Sequence, residues 1–129
     1  MTSVSWLRQA GRAAMIAPIF CFVLLHAPSA RAGELKSVMK DMKAAMSGAM
    51  GSATLPEFTK QLERLRQDAQ IASRLSYSGD AATYRQGMQD LQRNLEAAER
   101  EAKAGDLTAA KSALQLASRT KRRYHDLLN

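Results

Sequence analysis

The chain is poor in the residues that staple small domains together or perform covalent chemistry. Its 129 residues include one cysteine, Cys21, and two histidines, His26 and His125. An intramolecular disulfide is therefore excluded, as are zinc and iron–sulfur centres of ordinary ligand count. No Cys-x-x-Cys-His run is present for covalent haem attachment, no glycine-rich loop for cradling phosphate, and no nucleophile beside a base. Aromatic residues make up 5% of the chain, which leaves a thin apolar core. Long apolar runs are missing too. Ala13 to Leu25 is uncharged but falls short of the roughly 17 to 25 residues that cross a bilayer.

That uncharged stretch has the layout of an export signal. Arg8 and Arg12 precede it, and Ala30-Arg31-Ala32 puts small residues where a signal peptidase reads them. The expected organisation is a signal peptide over residues 1–32, cleaved after Ala32, and one periplasmic domain over residues 33–129. Cys21 follows Pro18-Ile19-Phe20, unlike a lipoprotein cleavage site, and is lost with the signal, as are Trp6, Phe20, Phe22 and His26. Taking a 32-residue leader from 129 residues leaves 97, enough for one small domain. The leader holds three of the nineteen basic residues and no acidic one, so the formal charge falls from +7 to +4. A moderate charge interleaved along an exported chain argues against a nucleic-acid partner. No stable membrane insertion is expected after cleavage.

What the domain does have is helical periodicity. Leu35, Val38, Met42, Ala45 and Ala49 form one stripe, and Leu55, Phe58, Leu62, Leu65, Ala69 and Ala72 a second. Tyr84, Met88, Leu91, Leu95, Ala98 and Ala102 form a third, and Leu107, Ala110, Leu114, Ala117 and Tyr124 a fourth. Steps of three and four residues mark core-facing helices, and no segment alternates with period two. Thr54-Leu55-Pro56-Glu57 reads as a capping box with proline in the first turn. Ser78-Gly79-Asp80 and Gly105-Asp106 each read as a helix stop followed by a new N-cap. The connections are short, which turns consecutive helices antiparallel. The expected fold is all-α, an antiparallel up-down-up-down four-helix bundle with the fourth helix beside the first.

That topology brings the two ends of the domain together. Met39 stands roughly 8 Å into the first helix and His125 roughly 6 Å from the end of the last, at 1.5 Å per residue. The two helices run oppositely, so both residues belong to one end of the bundle. A thioether facing an imidazole is one ligand set that holds haem iron in electron-transfer proteins. Taken singly, each residue has a plainer reading. Met39 shares its helix with Met42, Met46 and Met50, and methionine commonly fills irregular core space. The Arg119, Lys121, Arg122, Arg123 cluster reads as a solvated face or as a dock for an acidic partner.

The residues in order resemble the soluble periplasmic cytochrome b562 family over essentially the whole mature chain. The likeness rests on Glu34-Leu35-Lys36-Ser37-Val38-Met39 at the start, Tyr84-Arg85-Gln86-Gly87-Met88 opening the third helix, the Lys103-Ala104-Gly105-Asp106 corner, and Tyr124-His125 near the end. The resemblance implies one non-covalent haem b with Met39 and His125 as axial metal ligands, in a single-electron carrier that is not an enzyme and that exchanges electrons with an unidentified redox partner protein. Leu35, Met42, Met46, Tyr84, Met88 and Lys121 would line or flank the pocket. Where the family has an aromatic ring, this chain has Met88, and Lys121 replaces an arginine that could approach a haem propionate. Asn129 replaces a basic residue. The alternative is a haem-free periplasmic bundle with a binding or chaperone-like role.

Overall fold

A computed structural model describes residues 28–129, with side chains from residue 32; the expected signal stretch carrying Cys21 and His26 lies outside the described residues. Four helices follow one another: α1 Pro28–Met50, α2 Leu55–Arg74, α3 Ala81–Lys103 and α4 Leu107–Leu128. No strand occurs among the described residues, and the up-down bundle expected from the spacing is borne out.

Each boundary has a local cause. Thr54 Oγ1 accepts from the Glu57 amide at 3.3 Å, while the Glu57 carboxylate accepts from the Ala53 amide at 3.0 Å. The Glu57 side chain thus reaches one residue further back than the simplest capping box requires. Asp80 caps α3 through the Thr83 amide at 3.0 Å, and Asp106 caps α4 through the Ala109 amide at 2.8 Å. The α3–α4 corner closes on Gly105 at φ +83°. Gly105 N–H donates to the Ala102 carbonyl at 3.0 Å and Asp106 N–H to the Glu101 carbonyl at 3.1 Å, the paired bonds of a Schellman turn. Two boundaries differ from expectation. α1 begins at Pro28, ahead of the expected mature start at Gly33, because proline suits a first helical turn and the alanines after it propagate helix. α2 ends at Arg74 with Leu75 as an extended C-cap, so Gly79 does not stop that helix.

The stripes face inward. Phe58, Leu62, Leu65, Leu95 and Leu114 are the largest fully buried side chains, set among Ala45, Ala49, Ala69, Ala72, Ala98, Ala110 and Ala117, none of them exposed at all. The alanines let helices approach closely and the larger residues fill between them. Packing is densest within the α1–α2 and α3–α4 hairpins, intermediate between α2 and α3, and sparsest between α1 and α4. At the end holding the α1–α2 and α3–α4 connections, Ser52 is buried. Its hydroxyl donates to the Gly48 carbonyl at 2.8 Å, and the Lys111 ammonium donates to the Ser52 carbonyl. That end is shut. No described helix is long and apolar enough to cross a membrane.

Leu114→Ala should lower the unfolding free energy by about 2 to 5 kcal/mol, since the side chain is completely enclosed and its removal leaves a cavity. Urea unfolding followed by circular dichroism measures the loss; a change under about 0.5 kcal/mol would contradict the packing.

Candidate functional site

At the opposite end, the first half of α1 and the last turns of α4 stand apart, and with α3 they enclose a cavity of about 450 Å³. Pockets of this size accept small-molecule ligands and cofactors. A shallower trough of about 640 Å³ between α3 and α4 is lined by Ala97, Leu116, Arg119 and their neighbours, and holds no thioether or imidazole.

Helix α1 supplies Leu35, Met39 and Met42 to the cavity wall, spaced so that one face of the helix points inward. Met42 is buried, and Leu35 and Met39 are partly so. Helix α3 supplies Tyr84, Met88 and Leu91, all buried. From α4 come Thr120, Lys121, Tyr124, His125 and Leu128, with Asn129 just beyond. Of the eight residues singled out from the sequence, seven line this one space: Leu35, Met39, Met42, Tyr84, Met88, Lys121 and His125. Met46 does not; it packs against the core instead. It lies roughly 10 Å along the axis from Met39, towards the end where the alanines have closed the bundle.

His125 is exposed at the rim, and its Nδ1 lies 2.8 Å from the Asn129 side-chain amide nitrogen. A half-turn of that amide presents Oδ1 instead. His125 Nδ1–H can then donate to it, leaving the Nε2 lone pair free for a metal, the usual way a neighbouring group fixes a ligand's tautomer.

Three further groups, Tyr77, Gly79 and Gly87, shape the cavity without having been read from the sequence as part of it. Tyr77, on the α2–α3 connection, stacks on Tyr84 with ring centroids 5.0 Å apart and planes 10° from parallel. Its hydroxyl donates to the Leu128 carbonyl at 3.3 Å, tying that connection to the end of α4. The Tyr84 hydroxyl donates to the Ala72 carbonyl at 2.5 Å, and burial pushes its pKa up. Gly79 makes the Tyr77 fold-back possible, because a Cβ there would stand 2.6 Å from the Tyr77 ring. Gly87 does the same for Tyr124, whose ring would lie 2.7 Å from an added Cβ. The glycine in the second turn of α3 is thus the seat for an α4 ring.

Lys40 and Lys43 of α1 join Lys121 of α4 around the cavity, and no carboxylate is among its lining residues. Burial, with the Lys43 charge adding to it, pulls the Lys121 pKa below the usual lysine value. Lys121 therefore turns towards the cavity, while Arg119, Arg122 and Arg123 of the same basic run are exposed. Of the residues the sequence left between core and site, Tyr124 serves both. Its hydroxyl donates to Asp90, which also accepts from Arg93 and, at 3.2 Å, from Gln86.

The Tyr124 hydrogen bond, assisted by Arg93 and Gln86, holds the Asp90 carboxyl below the usual carboxylate range. A carboxyl depressed on folding stabilises above its unfolded pKa, and that contribution is lost as pH falls through the folded one. The melting-temperature difference between the wild-type chain and Asp90→Ala should therefore be greatest near neutral pH and shrink progressively as pH falls below the usual carboxylate range. A difference independent of pH would show that Asp90 contributes through packing alone.

The chain belongs to the cytochrome b562 family: the family model described as Cytochrome b562 matches residues 34–129, nearly all of the described structure. No curated protein matches the chain. Membership implies a haem-binding b-type cytochrome whose cofactor is haem b, in a family of electron carriers rather than enzymes.

Proposed function

We propose that this member of the cytochrome b562 family holds one non-covalent haem b between Met39 and His125, and works in the periplasm as a carrier of single electrons for a redox partner protein. The observation that carries the reading is that the described chain's one histidine and a partly buried methionine reach the same apolar cavity from antiparallel helices. The donor set fits the group: one soft sulfur, one imidazole, apolar walls for a flat macrocycle and cations at the rim.

When bound, the haem would supply an iron that exchanges one electron, held by the Met39 thioether and the His125 imidazole. Met39 offers the softer donor, which favours the reduced state and raises the potential. His125 supplies the basic nitrogen, oriented through the Asn129 amide. Two protein ligands leave no position for oxygen or peroxide, so the residue set serves electron passage. Leu35, Met42, Met88 and the Tyr77–Tyr84 stack keep water from the walls. Exposed Arg119, Arg122 and Arg123, beside the cavity on α4, support a partner with an acidic face. Export with cleavage after Ala32 belongs to the same proposal and rests on the residue pattern of the first 32 positions.

Purified mature chain reconstituted with haemin should give a low-spin, six-coordinate absorption spectrum. Met39→Ala should keep haem with a changed spin state and a potential lowered by tens of millivolts or more, and His125→Ala should bind it at least about tenfold more weakly, a loss of some 1.4 kcal/mol. An unchanged reduced spectrum in either variant excludes that residue as a ligand.

A further inference from the structure

We propose that Lys40 and Lys43 of α1 and Lys121 of α4 form a cationic clamp across the open seam, which binds the carboxylate edge of a porphyrin independently of its iron. The proposal rests on the haem reading in taking a porphyrin as the occupant. It adds a second recognition element, for acid rather than for metal, built on two different helices.

The cavity is apolar within and positively charged without compensation at its edge. Its lining includes three lysines and no aspartate or glutamate. The ion pairs of the described residues join Arg66 to Glu63 and Glu99, Lys103 to Glu99, and Arg93 to Asp90, and none includes Lys40, Lys43 or Lys121. Lys111 offers a contrast on the same helix as Lys121, since its ammonium is satisfied by the Ser52 carbonyl at the closed end. Lys121 is partly buried beside Lys43, near enough for the two charges to oppose each other. Partly burying a cation and setting a like charge beside it is unfavourable unless an anion completes the site.

Apolar walls alone would suit a neutral ligand, and lysines alone an inorganic anion. Together they select a flat apolar body bearing carboxylates on one edge, and a porphyrin with two propionate side chains is such a molecule. Lysine suits the task because its ammonium sits on a flexible stem and can follow a carboxylate on a flexible chain. The clamp has a mechanical side as well. Its members stand on the pair of neighbouring helices with the sparsest contact, so an acid held by both draws α1 and α4 together.

The test uses iron-free protoporphyrin IX and its dimethyl ester, which share shape and lack axial ligation. Both are titrated into the mature chain and followed by porphyrin fluorescence. At low salt the free acid should bind about tenfold more tightly than the diester, the worth of two or three partly exposed ion pairs. The preference should shrink at about 0.5 M salt, where screening acts within a few ångströms. Lys43→Gln/Lys121→Gln should bring the ratio to about twofold or less, and Lys43→Arg/Lys121→Arg should restore it. Lys40→Gln/Lys43→Gln, at two exposed positions, gives the same readout should the first pair disturb folding.

Equal binding of acid and diester by the wild-type chain, a ratio unchanged in the glutamine variants, or no binding of either porphyrin overturns the clamp. A haemin titration separates the two proposals. A six-coordinate haem spectrum without acid preference removes the clamp and leaves the ligands; acid preference without that spectrum does the reverse.

Discussion

Because α1 packs chiefly on α2, and α4 chiefly on α3, the seam between α1 and α4 is free to be filled by something other than protein. The short connections dictate this arrangement. Each hairpin buries its own stripes, and the α2–α3 contact joins the two halves from behind. At the closed end, alanines bring the helices together and Lys111 bridges from α4 to Ser52. At the open end the same two helices carry leucine and methionine on one side, tyrosine and leucine on the other, and a gap between them. A chain with so few aromatic rings and no disulfide has little else to place there, and under the proposed function a large apolar cofactor would supply the missing core.

The aromatic residues that remain are concentrated at that gap. Of the four in the domain, Tyr77, Tyr84 and Tyr124 border the cavity, and only Phe58 serves the closed end. Each tyrosine has its hydroxyl anchored: Tyr77 to the end of α4, Tyr84 to the end of α2 and Tyr124 to Asp90 on α3. The rings thus form walls whose positions are fixed from outside the cavity. Two glycines make room for them, and neither is needed there for backbone freedom, since Gly105 alone among the described glycines has a positive φ.

Much of this was legible in the sequence, for identifiable reasons. The stripes at steps of three and four and the caps at Thr54, Asp80 and Asp106 are local signals, and local signals survive into the fold. The convergence of Met39 and His125 at one cavity follows from topology, which short connections leave little freedom to alter. What was not legible depends on distances between helices. Lys40 and Lys43 look like an ordinary solvated flank of α1 until the width of the seam makes that flank a rim. Met46 continues the methionine series, yet stands where the helices have already closed. Gly79 and Gly87 were read as a stop and as part of a run, whereas their purpose is set by rings arriving from elsewhere in the chain. Tyr77 left one usable hint: it was the only aromatic residue in a connection.

The hairpin arrangement also bears on how quickly the molecule forms. Nearly all of its contacts join helices that are neighbours along the chain, so little loop entropy must be spent before each contact is rewarded. Bundles with such local wiring fold within microseconds to milliseconds. A chain of this kind can build its scaffold, seam included, without waiting for the molecule that fills it, and assembly becomes a two-step sequence in which the polypeptide is ready first.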